Sequence, residues 1–274
     1  MLNKIFAVIM CVGLPYIAVT LGFEYLGNTG GFSMMIMSGI ALFLIFKPQI
    51  FTIIGRRKYF DDHTIGFKWL KKAYNTGRMA PQQALVYAYL LLRDGHLTES
   101  EKLISAVLYK SKQKLTKQNL LAAELNLAII LWKKGNLKEA IEKLEGVYNE
   151  QYRSTVHYGT LGVFYIMANE LEKAEEFCLE ALDYNPGDMS IKDNLGLVYL
   201  KKGKLEEAKE IYEDLFEGGT PDFIEAYYNY GQVLEQLGDT EGAKEQYEKA
   251  LSCPERYLST VKLAVVDAAL SKIE

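Results

Sequence analysis

Residues 155–188 read TVHYGTLGVFYIMANELEKAEEFCLEALDYNPGD, and residues 189–222 read MSIKDNLGLVYLKKGKLEEAKEIYEDLFEGGTPD, two blocks of 34 residues in direct succession. Laid one over the other, they match Leu161-Gly162 with Leu195-Gly196, Tyr165 with Tyr199 and Ala174 with Ala208, and both end near a proline, Pro186 and Pro221. A third block from Ile224 repeats the theme as Tyr227-x-x-Tyr230-Gly231, then Ala243, Tyr247, Ala250 and Pro254. Upstream, a block from Leu121 carries Ala128, Gly135, Ala140, Leu144 and Val147. A looser one from Pro81 carries Ala88 and Gly95, with Ser100 where the first small residue of a second helix belongs. Self-similarity at such a period marks a stack of supersecondary units, each covering the apolar face of the next.

Each block fits two helices with a short turn at Asn169, Gly203 or Gly238, where a left-handed backbone is cheap for Gly and tolerable for Asn. The prolines fall where the second helix must stop. Antiparallel helices approach closely only where small side chains face a neighbour. That assigns Gly162, Gly196 and Gly231 to packing, and Tyr165, Tyr199, Tyr212 and Tyr247 to wedging the hairpins together. These residues resemble the tetratricopeptide repeat family over residues 81–257, with a capping helix at 258–274 whose apolar face includes Leu258, Val261, Leu263, Ala264, Val265 and Leu270. The resemblance implies an all-α, right-handed superhelix of helical hairpins whose first helices line a concave surface that grips a peptide.

The N-terminal residues 1–55 have a different character. Residues 5–23 carry no charge, and at about 1.5 Å per residue they cover most of a hydrocarbon core of roughly 30 Å. A second run, 32–54, is long enough if Lys47 snorkels and Pro48 kinks the helix near its exit. Residues 24–31 read as a turn-rich connector, so the expectation is two transmembrane helices in a hairpin. Lys4 precedes the first span and Arg56, Arg57 and Lys58 follow the second, while the connector has no Lys or Arg. This places both termini and the repeats on the cytoplasmic side of a cell membrane. The competing reading of the first span is a signal peptide. Residues 56–80 form a juxtamembrane segment in which 66–75 looks like the second helix of a half repeat, paired with the end of the second span.

Charge divides the chain, with 20 basic against 11 acidic residues up to position 154 and 11 against 24 beyond it. The acidic part opposes phosphate contacts, which argues against a nucleic-acid partner. Cys11, Cys178 and Cys253 are far apart and odd in number, which indicates neither a disulfide framework nor a metal site. The histidines His63, His96 and His157 are scattered; only His157 comes near the inward face, where a general base is conceivable. With no Gly-rich phosphate loop and no Gly-x-Ser-x-Gly, the chain reads as a non-enzyme, without cofactor, metal or small-molecule substrate.

Under the resemblance, the partner-binding groove comprises Tyr89, Asn126, Ile129, Trp132, Thr160, Val163, Asn194, Leu197, Tyr228, Asn229 and Gln232. Its asparagines would pair with a bound backbone or bond within the array. Some family members clamp a terminal carboxylate with lysine, but Leu85, Leu125, Gly159, Asp193 and Tyr228 occupy the places of that lysine. An apolar helix, or a basic segment directed at Asp193, Glu225 and Glu235, suits the groove better than an acidic tail. The functional expectation is a membrane-anchored scaffold or adaptor for a protein or peptide partner, the alternative being a structural or oligomerisation module of a membrane complex.

Overall fold

The computed structural model describes residues 13–111, 115–151 and 153–273. Among them are thirteen helices, which fall into two compact units, one ending at Ala84 and one starting at Leu85.

The first unit holds α1 (Leu14–Asp61) and α2 (His63–Tyr74). α1 is interrupted at Gly27, whose φ of 67° and ψ of −170° are not helical. The Met34 side chain comes within 3.0 Å of a Cβ built on Gly22, and the Phe23 and Phe32 rings meet edge to face at 5.4 Å. In a straight helix residues 22 and 34 would lie roughly 18 Å apart. The chain therefore folds back at Gly27, and the expected connector of 24–31 shrinks to one residue whose backbone only glycine adopts freely. By length and composition, α1 is the one helix among the described residues long and apolar enough to cross a membrane. The two separate spans expected at 5–23 and 32–54 are not resolved as two such helices: the leg before Gly27 is described only from Leu14, and residues 5–12, with Cys11, lie outside the described part.

α1 continues through Pro48. Proline has no N–H to give to the carbonyl one turn back. That carbonyl, on Leu44, instead accepts from Arg78 Nη2 at 2.6 Å, while the Thr52 hydroxyl donates to the Pro48 carbonyl at 2.8 Å. α2 starts at Asp62, whose carboxylate accepts from the Ile65 amide at 2.9 Å. It runs back along α1, with Gly66 on Tyr59, Leu70 on Gly55 and the Trp69 ring 5.2 Å from Phe51.

The second unit is a run of hairpins: α3 (Pro81–Arg93) with α4 (Leu97–Ser111), α5 (Lys117–Lys133) with α6 (Leu137–Asn149), and α7 (Thr155–Met167) with α8 (Leu171–Tyr184). α9 (Met189–Lys201) with α10 (Leu205–Glu217), α11 (Ile224–Leu237) with α12 (Thr240–Ser252), and a terminal α13 (Leu263–Ile273) complete it. Each hairpin turn has one residue at positive φ, including Asn169 at 60° where its neighbours use glycine. The departure at Ser100 has a local explanation. Fully buried, its hydroxyl donates to the Ala88 carbonyl at 2.7 Å, so the polar group is satisfied in a position that otherwise takes alanine.

The capping helix starts later than its apolar pattern suggests. Backbone amides of Thr260 and Val261 donate to the Glu225 carboxylate at 2.6 and 3.4 Å, and Arg256 pairs with Asp222, so the chain from Pro254 to Lys262 is spent on these contacts. α13 begins at Leu263, whose amide is capped by Glu255 at 2.9 Å. It buries Val266 against Ile224, Tyr227 and Tyr247.

Close approach is enforced where a Cβ has no room. One built on Gly196 would lie 2.6 Å from the Tyr212 ring, and one on Gly231 2.5 Å from the Tyr247 ring. Tyr212 is fully buried and hydrogen-bonded at its far end, so it cannot swing aside. Gly196→Ala is expected to cost about 1–3 kcal/mol through overpacking, read as a lowered melting temperature of the full chain in detergent; an unchanged melt would show that the ring yields.

Candidate partner-binding groove

The first helices α7, α9 and α11 pack side by side. α7 presents a stripe of Val156, Thr160, Val163 and Met167 at one helical face. Val156 is 52% and Met167 45% exposed, Thr160 and Val163 are half-buried, and the Thr160 hydroxyl donates back to the Val156 carbonyl at 2.6 Å. Leu197, Tyr228, Gln232 and Tyr89 are likewise half-buried.

The asparagines behave differently from residues waiting for a ligand. Asn194 Nδ2 donates to the Gly159 carbonyl at 2.9 Å, one first helix back, and Asn229 Nδ2 donates to Asp193 Oδ1 at 3.0 Å, again one first helix back. Both side chains are buried, as is Asn126. They stitch neighbouring repeats together at a spacing close to the repeat length. The acidic residues expected to receive a basic partner are also engaged internally. Asp193 accepts from Asn229 and from the Tyr212 hydroxyl at 3.0 Å, Glu225 holds Thr260 and Val261, and Glu235 accepts from the Tyr247 hydroxyl at 2.6 Å.

The early end of the stripe is closed by the chain itself. Ile129 is buried, and Trp132 lies against Phe164 at 5.4 Å with the Lys133 ammonium 3.9 Å over its ring. That ammonium is also 5.1 Å from the ring of Tyr257, which rests on Gly95 in the first hairpin turn. The array thus curves until the segment after its last hairpin touches its first. Burial, with the nearby Lys262 ammonium adding to it and Glu225 opposing, pulls Lys133 down to about 8. No periodic signal in the sequence foretold this closure, because Tyr257 falls at the very end of the last block, at a position with no recurring partner.

His157 is not on the inward face. It is fully buried between α6 and α8, beside Tyr148 and Phe177, with Nε2 3.0 Å from the Leu144 carbonyl. Because a carbonyl only accepts, that nitrogen carries the proton. Desolvation lowers the histidine pKa, which leaves it a neutral packing residue rather than an accessible base. Cys178 is buried with its thiol pushed up to about 12, a poor nucleophile. Among the described residues no group of three or more His, Cys, Asp or Glu side chains is arranged to hold a metal.

Asp193 is the one carboxylate buried in this network. Desolvation, with Glu225 adding to it, pushes its pKa up to about 7 despite the lowering effect of Asn229 and Tyr212. A folded-state value above the unfolded one of about 3.9 means that the contribution is fully present below pH 4 and lost as pH rises through 7. Asp193→Asn keeps the acceptor oxygen and removes the ionisation. The variant is expected to gain on the parent by about 1–3 kcal/mol between pH 5 and 8, measured as the difference in thermal melts at the two pH values; a gap that does not widen with pH contradicts it.

Residues 187–256 match the sequence profile of the tetratricopeptide repeat. A tetratricopeptide repeat protein from Parabacteroides merdae superposes with a TM-score of 0.64 at 13% identity, over 94% of this chain and 98% of its own. TTC0263, a thermophilic tetratricopeptide repeat protein of Thermus thermophilus, does so with 0.55 at 20% identity, over 71% and 98%. PilF of Pseudomonas aeruginosa gives 0.53 at 17% identity, over 70% and 83%. No protein of curated function is significantly similar in sequence. At these identities the likeness is one of fold, an all-α array of tetratricopeptide-like hairpins.

Proposed function

We propose that this chain is a membrane-anchored scaffold that recruits a protein or peptide partner through its repeat array at the cytoplasmic face of a cell membrane. The observation that carries the reading is the exposure of α1. Ile17, Leu21, Phe32, Ile36, Met37, Ile40, Phe43 and Leu44 are each at least 45% exposed on a helix with no charge from Tyr25 to Phe46. An apolar surface of that extent is stable in lipid and a liability in water. Basic residues after the apolar run and their absence around Gly27 support a hairpin entering from the cytoplasm, with both termini there.

For the array, the fold supports protein recognition, and the accessible part of the groove is the α7 stripe together with Leu197, Tyr228 and Gln232. A partner offering an apolar helix or extended segment matches Val156, Val163 and Met167. Anchoring raises the effective concentration of any membrane-bound partner without adding contacts. In isolated membranes washed at alkaline pH, the full chain is expected in the pellet and a chain lacking residues 1–55 in the supernatant; full release of both sinks the anchor. Crosslinked capture from the same membranes should recover a partner that is lost on Val156→Glu with Thr160→Glu. Recovery of only a homo-oligomer that survives these substitutions would favour an assembly module over a peptide receptor.

A further inference from the structure

The repeat array pairs many of its cations. Lys134 with Glu101, Lys143 with Glu124, Lys192 with Asp214, Lys202 with Glu175 and Arg256 with Asp222 are all paired at 2.5–2.7 Å. The first unit does not. Between Lys47 and Arg78 eight Lys and Arg residues face two acids, Asp61 and Asp62, and Lys58 takes Asp61. Lys47, Lys72 and Arg78 make no ion pair among the described residues.

These three cations are brought to one place by the antiparallel register of α2 and its following turn on α1. Tyr59 faces Gly66, Gly55 faces Leu70, Phe51 faces Trp69, and Leu44 receives Arg78. Lys47 sits 5.6 Å over Phe51, Lys72 sits 4.6 Å over Trp69, and the two rings meet at 5.2 Å. Arg78 spends one N–H on the Leu44 carbonyl orphaned by Pro48 and keeps the rest of its donor fork. The cluster lies where the uncharged run of α1 ends, the level at which tryptophan and lysine meet headgroups.

We infer that Lys47, Lys72 and Arg78, set against the Phe51–Trp69 pair, form a binding site for the phosphate of an anionic phospholipid headgroup. The inference rests on the membrane reading of α1 and adds to it a ligand and a location. Lys47 and Lys72 supply point charges, and the Arg78 fork grips two phosphate oxygens. The indole of Trp69 packs beside the glycerol backbone. Arg78, tied to Leu44, holds the site at a fixed depth.

The chain has two tryptophans, Trp69 and Trp132, so the full-length Trp132→Phe protein in neutral detergent micelles reports from Trp69 alone. Titration with short-chain phosphatidylglycerol should change its emission saturably, at least tenfold more tightly than phosphatidylcholine. Lys47→Gln with Lys72→Gln should weaken binding roughly tenfold or more, at about fivefold per cation. Arg56→Gln with Arg57→Gln, exposed cations further along α1, should leave it within twofold; an equal loss there means diffuse attraction and overturns the site. Equal response to both lipids also overturns it, and saturation by inorganic phosphate alone rejects the lipid as ligand. Flotation on vesicles of phosphatidylcholine alone separates the two readings. A protein that floats but shows no headgroup preference keeps its anchor and loses this site, whereas one that does not float loses both.

Discussion

A missing side chain at Gly196 is the constraint on which the array turns. The space it leaves admits the Tyr212 ring, and the ring delivers its hydroxyl to Asp193 on the same helix as the glycine. Asp193 in turn holds Asn229 of the next repeat, while its neighbour Asn194 holds Gly159 of the previous one. Close packing, a buried phenol and a polar ladder are therefore one device. Fill the gap and the tyrosine moves; move the tyrosine and a buried carboxylate loses a donor, which costs more than the bond was worth. Most repeat stacks are held by apolar nearest-neighbour surfaces; here a line of hydrogen bonds runs across them.

That device explains what could and could not be read in advance. Gly162, Gly196, Gly231, the turn residues and the prolines were legible because each answers to a local rule of backbone or contact distance that recurs at every repeat. Asn194 and Asn229 recur too, yet their period alone could not tell a ligand contact from an internal one, since an amide serves both equally well. Asp193, Glu225 and Glu235 were read as open to a basic partner, yet each already accepts a hydrogen bond within the array, because formal charge says nothing about which donors the fold brings. Residues outside the period were harder still. Tyr257 reaches Gly95 only because the array curves, and Arg78 reaches Leu44 only because α2 runs back along α1. The Gly27 reversal was hidden beside Asn28, Gly30 and Gly31, which invite a turn as readily.

The array devotes its buried polar side chains Asp193, Asn194 and Asn229 to its own rigidity, while the apolar stripe of α7 and its half-buried neighbours stay accessible. Under the proposed scaffold role, a partner would meet a preformed surface whose geometry is set by the ladder behind it, with little ordering needed on binding. On the proposed membrane reading, an anionic lipid surface repels the acidic second half of the chain and attracts the basic first half. Sequence asymmetry in charge thus matches the proposed division of labour between an anchoring unit and a recognising one.

Amide hydrogen exchange on the intact protein tests the ladder most directly. If Asp193 couples the repeats, protected amides of α9 and α11 exchange together in a single cooperative opening, and Tyr212→Phe, which deletes only the hydroxyl, speeds both helices alike. Should the substitution accelerate α9 while α11 keeps its own slower rate, the hairpins are independent and the account of a stitched array is wrong.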